Sequence, residues 1–175
     1  VNPTTDFLSI TGGDLEILPG AVIQVGQGKG ISIDGTCDSV NAVGTSAKPI
    51  TMEGQDGNEW KGLSFTDDCS TTDDRHVFTH VDFKNTSTAA ITAGSRHGDY
   101  NAICADSSGG TRACYSNGNV GNFTMSHVTF TNVETAIRHG SGQGTGISMN
   151  DFSINGADKA CINLPSSADA MIKEG

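Results

Sequence analysis

The chain has 175 residues, enough for one domain, and it carries 20 acidic against 10 basic side chains for a net charge of −10. So acidic a surface repels nucleic acid and anionic lipid, so neither is an expected partner, and no apolar run approaches the length of a membrane span. Twenty-three glycines against seven Phe and one Trp suit a narrow core with many turns better than a globular one.

In chain order, residues 1–14 are expected to fold over the first layer as an N-terminal cap, with Phe7, Leu8 and Ile10 supplying apolar contacts. From Leu15 to Phe65 the apolar residues come in alternating pairs: Leu15/Ile17, Ile31/Ile33, Ile50/Met52 and Leu63/Phe65. That is the period of a half-buried strand, and no interval between the pairs is long and periodic enough for a helix. Pro19-Gly20, Gly26 to Gly30, Gly35 and Gly54 punctuate them as turns.

The same stretch resembles the opening coils of right-handed parallel β-helix proteins of the bacterial cell surface. The matching residues are Leu15, Ile17, Pro19-Gly20, Val22-Ile23, Gly30-Ile31, Ile33, Gly35-Thr36, Ala42, Gly44-Thr45, Pro49-Ile50 and Trp60-Lys61-Gly62-Leu63. After Gly35-Thr36 the chain departs from the pattern with a small loop, CDSVN, that carries Cys37. The resemblance implies an all-β, right-handed parallel β-helix and an extracellular or cell-surface address, with any export leader already removed. It implies no single activity.

Internal repetition points the same way. THVDFKNTSTAAI (79–91), SHVTFTNVETAI (126–137) and NDFSINGADKACI (150–162) align, with His80, His127 and Asp151 each preceding an apolar pair (Val81/Phe83, Val128/Phe130, Phe152/Ile154). Asn85, Asn132 and Gly156 follow, and then Ile91, Ile137 and Ile162. Equivalent placement predicts that His80 and His127 stack along the coil axis. At roughly 20 to 25 residues per coil the chain has room for about five to seven coils within a single domain, 1–175.

Residues 95–120 lack apolar periodicity and are expected to form an inserted loop. Cys104 with Cys114 is the expected staple at its base, and Cys37 with Cys69 the next pair, although spacing alone leaves connectivity open. Cys161 is expected as a buried free thiol. Paired cysteines agree with an oxidising, extracellular environment.

Three groups are candidate functional residues. Asp67, Asp68, Asp73 and Asp74 could hold a calcium ion through oxygen ligands; a solvated, disulfide-anchored turn is the simpler reading, and no cofactor is required. Trp60 could stack on a sugar, though its place in the pattern suits packing of a turn. Arg138 and His139 faintly resemble the Gly-His-Gly element of pectin-cleaving glycosidases, but the preceding coil carries Asn117, Asn119 and Asn122 where those enzymes need aspartates. No catalytic set is therefore assigned.

Ala170-Met171-Ile172 reads as the start of another strand with no capping helix after it. An open edge must be covered, by more chain or by another subunit. The expected function is a non-enzymatic structural or adhesive module that self-associates end to end into a surface filament. The competing expectation is a polysaccharide-active enzyme (lyase or glycoside hydrolase) or a glycan-binding module.

Overall fold

The computed structural model describes residues 6–33, 39–65, 75–93, 120–139, 145–163 and 170–172. They are almost entirely strand: β1 (Phe7–Ile10), β2 (Leu15–Ile17), β3 (Val22–Val25), β4 (Gly30–Ile33), β5 (Val40–Val43), β6 (Ile50–Gly54), β7 (Leu63–Phe65), β8 (Arg75–Ala93), β9 (Val120–His139), β10 (Thr145–Asn163) and β11 (Ala170–Ile172). All pairing between these strands is parallel, and the sheet stays open. This is consistent with an all-β solenoid. No helix among the described residues is long and apolar enough to cross a membrane.

Three ladders organise the pairing. The first runs β1, β4, β7 and then the C-terminal parts of β8, β9 and β10, with Ile31, Leu63, Ile91, Ile137 and Ile162 in one column. The second runs β2, β5, the N-terminal parts of β8, β9 and β10, and β11. The third runs β3, β6 and the middle of β8, β9 and β10, so Met52, Phe83, Phe130 and Ile154 align. Short segments whose apolar pairs cannot bury themselves alone thus cover one another along a common core.

The four alternating pairs lie where the sequence predicts: Ile17, Ile31, Ile33, Ile50, Met52, Leu63 and Phe65 are buried, and Leu15 packs against the same core. Phe83 and Phe130 stack at 5.4 Å, and Phe65 meets Phe123 edge-on at 5.0 Å. Each such ring contributes about 1.5 to 3 kcal/mol through burial. The aligned repeats hold as well, since Val81 pairs with Val128 and Val128 with Phe152.

Residues 7–10 lie along the edge of the stack as a strand, and Ile10 packs against the core. They form β1, in register with β4, because the Phe7 ring packs against Gly30, where a Cβ would come within 2.4 Å of it. Lys61 lies 5.6 Å from the centre of that ring and also pairs with Asp6, to which Lys29 bonds at 3.2 Å. The hydrogen bonds from Lys61 and Lys29 hold the Asp6 carboxyl below its usual range.

Cys161 also differs from expectation, being exposed. Neighbouring residues of a strand point to opposite faces, and Ile162 takes the core side. Ala170–Ile172 does form a strand, paired with Ile147–Met149.

Candidate functional site

Within β8, β9 and β10 the chain turns the corner between the second and third ladders on one residue, which adopts a left-handed backbone: His80 (φ 49°), His127 (φ 53°) and Asp151 (φ 51°). His, Asn and Asp tolerate this region better than other non-glycine residues, which explains the polar residue at the head of each repeat. A second left-handed column follows at Asn85 (57°), Asn132 (51°) and Gly156 (76°). There Asn132 Nδ2 donates to Asn85 Oδ1 at 3.4 Å.

The first column builds a site. The rings of His80 and His127 are parallel to within 6°, with centroids 4.4 Å apart, as the repeat alignment predicts. His127 Nδ1 lies 2.5 Å from Asp151 Oδ2. In the neutral ring that nitrogen carries the proton and donates it, so Nε2 is left as an acceptor. Two residues further along each strand, Asp82, Thr129 and Ser153 stand side by side, and Ser153 Oγ donates to Thr129 Oγ1 at 3.3 Å. With Ser46 and Pro49 from the connection between β5 and β6, these side chains line a groove of about 350 Å³.

The groove has two carboxylates, two imidazoles, three hydroxyls and no Lys or Arg among its described lining. Among the described residues no three His, Cys, Asp or Glu side chains are placed to hold one metal ion. Parallel rings aim their lone pairs side by side, whereas metal ligands must converge.

The residues singled out in the sequence lie elsewhere. Trp60 is fully buried: its Nε1 donates to the Lys84 carbonyl at 2.8 Å and its backbone N–H to Asn85 O at 3.0 Å. It packs into the interior, with no face of its ring exposed. Arg138 bonds Glu134 at 3.2 Å, Lys159 reaches the same carboxylate at 2.9 Å, and the backbone of His139 pairs with Ala93 in the first ladder. Asp67, Asp68, Asp73 and Asp74, and Cys37, Cys69, Cys104 and Cys114, lie outside the described residues.

Asp82, Thr129, Ser153 and Ser46 were not singled out in the sequence, and Asp151 stood there only as a member of the repeat. A signal for the first three existed: a polar residue recurs two places after each corner residue. Ser46 belongs to no repeat. Comparison with known protein families, with characterised proteins and with solved structures finds no match to this chain.

Proposed function

We propose that this chain is a non-enzymatic, extracellular structural or adhesive module: a right-handed parallel β-helix of five to seven coils, with a disulfide-stapled loop at 95–120, whose copies join end to end into a filament. The observation that supports this reading is the registered column, in which Ile31, Leu63, Ile91, Ile137 and Ile162 follow one another across successive strands. A stack hydrogen-bonded layer to layer resists bending, as a rod must. Right-handedness follows from the general preference for right-handed crossovers between parallel strands.

In the first layer β1, β2 and β3 each pair on one side alone among the described residues. An open parallel edge is a template for another strand, and a head-to-tail contact of that kind gives filaments rather than rings. The net charge of −10 keeps such rods apart sideways. Electron microscopy of the purified protein at neutral pH, with and without calcium, tests the proposal. Filaments one molecule wide are expected; discrete particles at high concentration under both conditions would overturn it.

A further inference from the structure

We propose that the corner groove is a binding site for a cationic nitrogen group, an ammonium or guanidinium, carried by a free polyamine or by the Lys and Arg side chains of a peptide. The hydrogen-bonding sense of the lining carries the argument. Asp82 and Asp151 only accept, and in a neutral His127 ring the Nδ1–H is committed to Asp151, which leaves Nε2 as an acceptor. The hydroxyls of Ser46, Thr129 and Ser153 add acceptors that can turn toward a ligand. A partner rich in N–H donors satisfies such a wall.

Charge agrees with hydrogen bonding. No Lys or Arg of the chain stands in the described lining, and the whole molecule carries −10, so the groove gathers cations from solution. A uronate or phosphate would meet two carboxylates with no Lys or Arg to offset them. The shape favours a linear ligand, because Asp82, Thr129 and Ser153 sit on successive strands about 4.8 Å apart. His127 and Asp151 are 44% and 66% exposed, so a ligand reaches them without opening the fold.

The site does not depend on end-to-end assembly. Discrete particles in the microscope leave it standing, and a failed titration leaves the filament standing.

Calorimetric titration of the full chain at low salt, with spermidine and with triarginine as probes, tests the proposal. Saturable binding of at least one probe is expected; tighter binding of spermidine assigns the free polyamine, and tighter binding of triarginine the peptide. Asp82→Asn and Asp151→Asn should each weaken it about tenfold, the loss of one charged hydrogen bond. Asn holds a left-handed backbone readily, so Asp151→Asn keeps its corner. Thr129→Lys, which places a resident cation in the groove, should abolish binding. Glu16→Gln and Asp56→Asn remove exposed charges that do not line the groove and should change affinity within about twofold.

Equal weakening by the groove and control substitutions would reduce the effect to general attraction and overturn the site. So would the absence of saturable binding, or maltohexaose binding as tightly as either probe.

Discussion

The imidazoles of His80 and His127 lie face to face at 4.4 Å although 47 residues separate them along the chain. The same offset sets Val81 beside Val128 and Phe83 beside Phe130, while an offset of 24 sets Phe152 beside Val128. One register therefore fixes both the core and the groove. Inward residues of the repeat build the core, and outward residues of the same strands form a polar wall.

The stacked rings of Phe83 and Phe130 are fully buried. Phe83→Ala and Phe130→Ala should each cost about 3 to 5 kcal/mol in urea unfolding. The double variant should lose less than the sum, by about 0.5 to 1.5 kcal/mol, because the rings share one contact. Strict additivity would mean that they do not touch.

His76 gives the fold an acid limit. It is buried between Phe65 (4.4 Å) and Phe123 (4.7 Å), and the Val40 N–H donates to its Nδ1. Burial pulls its pKa down from 6.5 to about 4. The folded state holds the ring neutral while the unfolded chain takes up a proton below 6.5, so this stability is complete above pH 6.5 and is lost as pH falls toward 4. The loss amounts to about 3 kcal/mol. His76→Phe should flatten the stability profile between pH 4 and 6.5; an unchanged slope would place the acid sensitivity elsewhere.

Gly62 and Gly28 separate two reasons for glycine. Both have positive φ, 77° and 64°, but a Cβ on Gly62 would come within 2.1 Å of the Ala89 carbonyl oxygen, whereas one on Gly28 meets nothing within 4 Å. Gly28→Ala should cost about 1 to 2 kcal/mol, the left-handed penalty alone. Gly62→Ala should cost clearly more in thermal unfolding, because backbone must move.

Cys161 is exposed in the native fold. A thiol reagent applied without denaturant should react with it rapidly, and Cys161→Ser should remove that fast phase. Reaction only after unfolding would return the side chain to the interior.

Strand positions and register were legible because each inward pair is apolar and each corner needs a residue that tolerates positive φ. His80, Asn85, His127, Asn132, Asp151 and Gly156 all satisfy that demand. The groove was only half legible. His80 and His127 marked its floor, but Ser46 enters from a connection with no repeat of its own, and no pattern in the sequence brings it there. The partner of Phe7 was not legible for a related reason: the ring packs where Gly30 has no side chain, an absence that apolar periodicity does not register. Cys161 followed the repeat by alignment, yet the strict alternation of a strand gave the core position to Ile162.

The registered stack is most directly tested by proton cross-relaxation between aromatic rings in solution. Ring-to-ring effects are expected between Phe83 and Phe130 and between His80 and His127, pairs whose centroids are 5.4 and 4.4 Å apart. A folded protein that shows neither, or that pairs these rings with other partners, would contradict the register and with it the proposed rod and groove.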